Sequence, residues 1–476
     1  MERVSHVCLL VVIVSNCLVD AQLANLSKLE ISDLTTNNFL KDTGYFGGGG
    51  LEIIFESISE RVRDLGCKSE EQDPYACKST PEIIRFRGYD VEEHEVVTRD
   101  GYILSIFRVI NPLIKPRLRP RLKPVLLQHA LLSSSNDYVF NSQNVTPAPW
   151  PCKGCKEPTK LDPSNDQQHP KSLAYYLANE GYDVWLSNAR GNVYGRRHIH
   201  LSTRDPKFWD FSWDNQVKFD LPDTIEYIQN YTRFKKLGYV AFSQGTQIMI
   251  GLLSEQPHYA DIVEPVVLLA PIAYEQHTTS AIELFLPLEP VSNNFLTMFA
   301  GNHLIRLIFR DFCKRFSSIC VLIAHAILGY DPLGLQFNRL ITLLHHVPSG
   351  TSWQSFAHYG QGVAYDNFTH YNYGSDENLL RYGQILPPIY NVSRIRSKSI
   401  VLVRSESDPL ATPKDIETLI KNLRVKLFRD YVVSKDAPGG LFNHAHFCYG
   451  QLAGVLVNRR VVKVFNYFRR LAKRFG

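Results

Sequence analysis

Five short apolar runs, Pro124 to His129, Tyr182 to Leu186, Leu237 to Phe242, Val266 to Ala270 and Ser399 to Val403, recur along the chain with helix-length segments between them. Continuous apolar runs of this length are strands buried on both faces. Buried strands that alternate with helices make a mostly parallel sheet covered on each side, the α/β class. Ahead of them, Val91 to Thr98 and Tyr102 to Ile110 flank Arg99-Asp100-Gly101, which reads as a hairpin around an Asp-Gly turn. The alternation stops between Tyr274 and Leu386, where the chain is rich in Phe, Leu, His and Tyr and carries apolar helical stretches such as Leu304 to Phe309 and Val321 to Leu328. An insertion of that kind after a core strand predicts a mainly helical cap or lid over a site. The expected order is a leader at 1–21, an N-terminal extension at 22–80, core at 81–273, cap at 274–386 and returning core at 387–476. The extension, with its polar stretches and Gly47 to Gly50, is expected to pack loosely.

With 476 residues, 44% hydrophobic and 21% charged, the chain can bury a large core and is not a disordered one. Its net charge of +5 is small for this length and gives nucleic-acid binding no support beyond a basic C-terminal stretch. In that stretch, from Arg459 to Arg474, the residues Val461, Val464, Phe465, Phe468 and Leu471 recur at spacings of three and four, as in an amphipathic helix docked on a core.

The chain opens with Arg3, an apolar run from Val7 to Val19 and Val-Asp-Ala ending at Ala21, the layout of a secretory signal peptide. Export favours disulfides. Of the seven cysteines beyond the leader, Cys313 and Cys320 are expected to pair across a short loop and Cys448 to stay free. The pairing of Cys67, Cys77, Cys152 and Cys155 stays open, and Cys152-Lys-Gly-Cys155 has no second half with metal-site spacing. Sequons at Asn25, Asn144, Asn230, Asn367 and Asn391 fit a glycosylated exported protein, secreted or routed to a lysosome-like compartment.

The chemistry concentrates at Tyr239-Val240-Ala241-Phe242-Ser243-Gln244-Gly245-Thr246, a strand that runs into a serine and then a helix. This is the pattern of a nucleophile elbow, whose strained backbone lifts the hydroxyl above the sheet. Glycine is usual two residues to either side, and here the leading one is Ala241. A serine nucleophile needs a base, and the base needs a carboxylate, in the chain order Ser, acid, His. Asp408 lies just past the strand Ser399 to Val403, with Glu406 as a competitor. His444 and His446 share a loop after the strand-like Lys426 to Val433, and the residues alone leave both open as the base. An oxyanion hole needs two backbone N–H donors. Gln244 supplies one, and Gln128-His129-Ala130-Leu131-Leu132, at a strand end, is placed to supply the other.

These residues resemble the acid lipases, the animal family of gastric and lysosomal acid lipases within the α/β-hydrolase superfamily. The resemblance runs from about Ile83 to the C-terminal region, and rests on His94 to Thr98 with Asp100-Gly101-Tyr102, Leu127-Gln128-His129 with Leu131-Leu132, Gly181 to Leu186 with Asn188 to Asn192, and Phe208 to Ser212. It continues in Ser243 to Thr246, Pro348 to Ser352 and Pro388 to Val392. It implies Ser243 as nucleophile, Asp408 as acid, His444 as base, and Leu131 and Gln244 as oxyanion donors. It further implies a lid within the cap and a cap disulfide at Cys313 and Cys320. Ala241 and Phe242 stand where the family usually has Gly and His, Ala130 where it has Gly, and His446 where an acid is common; the segment Pro149 to Gln168 is an insertion.

The expectation is a secreted serine lipase acting on triacylglycerol or cholesteryl ester at a lipid–water interface. It would need no cofactor or metal and no obligate protein partner, with passing contact to a lipid surface. His198 with His200 and His345 with His346 lack a converging carboxylate or cysteine set and read as structural. The altered elbow keeps a second reading open, a lipase-like lipid binder that has lost activity.

Overall fold

The computed structural model describes residues 73–151, 162–285, 310–330, 337–365 and 367–475. The expected signal peptide, Asn25, Cys67, Cys152, Cys155 and the stretch Leu304 to Phe309 lie outside them.

Among the described residues nine strands form one sheet: β1 (Asp90–Val97), β2 (Tyr102–Ile110), β3 (Pro124–Gln128), β4 (Asp183–Leu186), β5 (Arg197–His198), β6 (Leu237–Phe242), β7 (Val263–Leu269), β8 (Ile400–Arg404) and β9 (Arg429–Val432). Their order is β1-β2-β4-β3-β6-β7-β8-β9, with the two-residue β5 on β2. The first two make the expected antiparallel hairpin, in which Thr98 Oγ1 accepts from Tyr102 N at 2.9 Å and donates to Asp100 Oδ1 at 2.6 Å. From β4 to β9 every pairing is parallel, and β3, β4 and β6 are buried along their whole length, which is why they read as unbroken apolar runs.

Helices cover the sheet. Gln244–Glu255 follows β6 and is buried on all but its last residue. The C-terminal helix Arg459–Phe475 docks as its spacing predicts: Val461, Val464 and Phe465 are buried, and the Phe465 ring lies where a Cβ on Gly238 would stand. Among the described residues no helix is long and apolar enough to cross a membrane. Between β7 and β8 come the helices Ser317–Leu328, Phe337–Leu343, Trp353–Ala364 and Ser375–Tyr382. Cys313 and Cys320 are disulfide-bonded with Cα atoms 5.2 Å apart, and Cys448 is free and buried, as expected. Cys77 is also disulfide-bonded.

The end of the N-terminal extension departs from expectation. Tyr75 is 1% exposed and donates its hydroxyl to Ser142 O at 2.6 Å, and Ala76 is buried beside it. The aromatic ring supplies burial that the polar residues around it conceal in a window average. Residues 73–80 thus belong to the core, and the capped helix Thr80–Phe86 starts from them.

Candidate active site

Ser243 sits between the last residue of β6 and the first of the following helix, with φ 54° and ψ −118°. A side-chain-bearing residue held there costs about 1–3 kcal/mol, so its surroundings must enforce it. Ser243 N–H donates to Leu269 O at 3.0 Å, and its own carbonyl accepts from Thr246 N at 2.8 Å and Thr246 Oγ1 at 2.6 Å. Gly245 is required by close approach: a Cβ there would lie 2.8 Å from Gln128 Cγ and O and 3.0 Å from His129 O. The helix start is thereby pressed against the loop that leaves β3. Ala241, the departure on the other side of the serine, is fully buried in register with Gln128 and Leu268, and its methyl is accommodated within the sheet.

The serine, the histidine and the aspartate, 165 to 201 positions apart in pairs that span Ser243, are joined by hydrogen bonds: His444 Nε2 to Ser243 Oγ is 2.9 Å, and His444 Nδ1 to Asp408 Oδ2 is 2.8 Å. A carboxylate only accepts, so Nδ1 carries the proton and Nε2 is left to accept from the serine hydroxyl. Asp408 Oδ1 takes the N–H groups of Leu410 at 2.9 Å and Ala411 at 3.0 Å, which fixes the carboxylate plane. All three side chains are buried. The competitors go elsewhere. Glu406 is exposed and lies 3.4 Å from Lys435 Nζ, and His446 Nδ1 accepts from Asn443 N at 3.1 Å. Phe242 packs its ring 5.0 Å from that of His444, giving the imidazole an apolar wall.

Leu131 and Gln244 are brought to the same end of adjacent strands. Gln128 pairs with Ala241 across β3 and β6, Leu131 follows the first, and Gln244 is the first helical residue after the second. A first-turn N–H has no acceptor inside its own helix, so that of Gln244 is open to a ligand.

One residue that sequence reasoning missed organises this loop. Asp137 is buried; its Oδ2 accepts from Ala130 N at 2.9 Å, and its Oδ1 takes the hydroxyls of Ser133 and Tyr449. Burial pushes its pKa up, and these donors with His129 pull against it. Tyr449 lies on the single turn His446–Tyr449, so one carboxylate ties the Leu131 loop to the His444 loop. The signal available in the sequence was a lone Asp in Ser133-Ser-Ser-Asn-Asp137-Tyr, which nothing separates from a turn residue. Burial pushes the pKa of His129 beside it down against the pull of Asp137; its Nε2 accepts from Ala189 N at 2.9 Å, and its Nδ1 faces Ala130 O at 2.7 Å.

The remaining candidates are dispersed. His346 bonds Asn136 Nδ2 at 2.9 Å and Tyr75 O at 3.0 Å, and His198 Nε2 meets Asp100 O at 2.9 Å, both structural contacts. Among the described residues no group of three or more His, Cys, Asp or Glu is placed to hold a metal. Asn144, Asn230, Asn367 and Asn391 are all exposed, where a glycan could be attached.

The insertion reaches this site directly. His444 N donates to Leu328 O at 3.1 Å and Asn443 Nδ2 to Gly329 O at 2.9 Å, so the helix Ser317–Leu328 ends on the histidine loop. Of its twelve residues only Cys320 is buried; Ile319 and Leu322 are 48% and 67% exposed.

Two family descriptions match the chain: a partial alpha/beta-hydrolase lipase region over residues 80–142 and the alpha/beta hydrolase fold over residues 123–303. Lipase member K of Homo sapiens is 31% identical over 79% of this chain and 91% of its own length. Gastric triacylglycerol lipase is 32% identical in Rattus norvegicus, over 78% of this chain and 91% of its own, and 32% in Homo sapiens, over 81% and 94%. Similarity of that extent over most of both chains shows the family: the chain belongs to the acid lipase family of α/β-hydrolase carboxylic ester hydrolases.

Proposed function

We propose that the protein is an exported serine lipase that hydrolyses lipid carboxylic esters through an acyl-enzyme on Ser243. The observation that carries this reading is the hydrogen-bonded chain Ser243–His444–Asp408, at 2.9 and 2.8 Å, standing on an elbow held in a strained backbone. Ser243 Oγ attacks the ester carbonyl carbon while His444 Nε2 takes its proton, and Asp408 stabilises the imidazolium. Leu131 and Gln244 donate their N–H groups to the oxyanion. Collapse of the intermediate expels the alcohol with the proton from His444, and a water then repeats the sequence and releases the fatty acid.

Lipid is the substrate class because an apolar helix, Ser317–Leu328, stands exposed at the rim of the site with its last turn bonded to the histidine loop. An enzyme working only on small soluble esters has no use for that surface. Triacylglycerol is the first substrate to test, since it is what the gastric relatives are named for, with cholesteryl ester second. Export rests on the apolar stretch Val7 to Val19 behind Arg3 and on exposed sequons.

The test is fatty-acid release from emulsified triacylglycerol and cholesteryl ester from acid to neutral pH. Ser243→Ala and His444→Ala are expected to lose at least about a thousandfold in kcat with the fold intact. A folded wild type no faster than Ser243→Ala on these and on short soluble esters would overturn the reading and favour a lipid carrier.

A further inference from the structure

The residues of the proposed chemistry all follow strand C-termini, so the loops that feed the parallel strands lie at the opposite end of the sheet. There the segments 115–123, 233–236 and 394–398 lead into β3, β6 and β8, and 424–429 runs as far as the first residue of β9. They hold five, three, three and three Lys or Arg residues, and no Asp or Glu. The whole chain carries only +5, so the sequence outside these four segments is net negative. Arg117, Lys235, Arg396 and Lys426 are exposed and pair with no carboxylate among the described residues. The break in the row is at β7, with Asp261 just ahead of it and with Glu264, its second residue, paired with Lys236 at 3.0 Å. The C-terminal helix adds to the same end: Arg469 Nη1 donates to Glu180 O just ahead of β4, and Arg470 and Arg474 beyond it are exposed.

We propose that this end of the sheet is a docking face for a linear sulfated polysaccharide. From β3 to β9 is four strand spacings, about 19 Å at ~4.8 Å each. That sets clusters of cations in a row along which an extended chain of repeating anionic groups can lie, and a dense polyanion releases its counterions on binding. An anionic bilayer fits less well. Docking it here would place Ser243 on the far side of the sheet, about 15–20 Å from that surface, with the strand C-termini facing away. The preference for a sulfated glycan over nucleic acid rests on the export reading.

The probe is heparin, and the measurement is the affinity of the full-length protein for it against salt. A four-site variant, Arg117→Gln with Arg121→Gln, Lys235→Gln and Lys398→Gln, is compared with wild type. Wild type is expected to elute later from immobilised heparin than from a sulfopropyl resin. In the variant the slope of log affinity against log salt falls by about 3, at ~0.7–0.9 for each cation lost. Equal elution of the two proteins from heparin overturns the proposal. Tighter binding of wild type to duplex DNA or to phosphatidylserine vesicles than to heparin at the same salt also overturns it. Hydrolysis of a short soluble ester, assayed in parallel, is expected to be unchanged in the variant; its absence from both proteins, with heparin retention intact, would sink the catalytic reading and leave this one standing.

Discussion

The insertion between β7 and β8 contains two helices of equal length that bury opposite kinds of side chain. Ser317–Leu328 is almost wholly apolar and buries Cys320 alone. Trp353–Ala364 carries Gln354, Ser355, His358 and Gln361 and buries all of them. The polar helix can do so because each of these four side chains makes at least one hydrogen bond. Gln361 Nε2 donates to Asn372 O and Gln361 Oε1 accepts from Asn372 N, both at 2.8 Å, and His358 Nε2 meets Thr369 O at 2.9 Å with its ring stacked 4.2 Å from Trp213. A buried polar group without such a partner costs about 1–3 kcal/mol. The apolar helix forgoes a comparable amount, about 1.5–3 kcal/mol for each large side chain left in water. Hydrophobicity alone therefore assigns these two helices the wrong way round. One is fitted to the protein, and the other, anchored at Leu328 to the histidine loop, presents the surface that the lipid reading requires.

The largest expected effect separates the two roles. Ile319→Gln with Leu322→Gln should lower hydrolysis of emulsified triacylglycerol by at least about a hundredfold, as two side chains worth ~1.5–3 kcal/mol each leave an apolar contact. The melting temperature and the rate on a soluble ester should hold. A matched fall on soluble ester would mean that this helix serves the fold as its neighbour does, and the contrast would collapse.

The polar helix should answer in stability instead. A Cβ on Gly362 would stand 1.9 Å from Glu275 Oε2. Glu275 is fully enclosed, burial pushes its pKa well up, and its Oε1 accepts from Gln247 Nε2 at 2.8 Å on the helix that follows Ser243. Gly362→Ala gains up to about 1 kcal/mol of helix propensity. Displacing the buried carboxyl loses about 1–3 kcal/mol. A net destabilisation of about 1 kcal/mol in urea unfolding is expected; a stabilised variant would show that the pocket around Glu275 yields, and that the polar helix is less tightly fitted than its partners imply.

What could be read from the sequence follows from how local its causes are. The hairpin, the buried strands and the docking of Val461, Val464 and Phe465 each follow from spacing along a few residues, and the structure has them within a residue or two, except that β7 begins at Val263, three residues ahead of the expected Val266. The elbow was legible because its strain demands a small residue at Gly245, two positions from the serine. The choice between His444 and His446 was not, because two imidazoles on one loop differ only in what lies far away in the chain: Asp408 for one, the local Asn443 N–H for the other. Asp137 was hidden for the same reason, since its meaning comes from Tyr449, 312 positions away. Tyr75 shows the converse error, a single aromatic anchor lost in a polar stretch.

The smallest expected effect tests how the polar helix is kept covered. His370 belongs to the strap that supplies Thr369 O to His358, and its Nε2 lies 2.8 Å from Glu255 Oε1, its Nδ1 3.7 Å from Asp214 Oδ2. Burial would lower its pKa, but the Asp214 and Glu255 carboxylates outweigh that and the opposing Lys218, and hold it above the ordinary imidazole value. His358, the other imidazole beside Asp214, is shifted down by its own burial against the pull of that carboxylate. A folded-state pKa raised above that of the unfolded chain stabilises fully below about pH 6.5, and the contribution fades as pH rises through the folded value. His370→Gln should therefore cost about 1 kcal/mol near pH 5 and much less near pH 8, measured by urea unfolding at both. A cost equal at the two pH values would locate the strap's hold in the stacking of the neutral ring on Tyr390, 4.0 Å away, rather than in its charge. The polar helix would then be covered by packing, as the core is, and the contrast with its exposed neighbour would lie in shape alone.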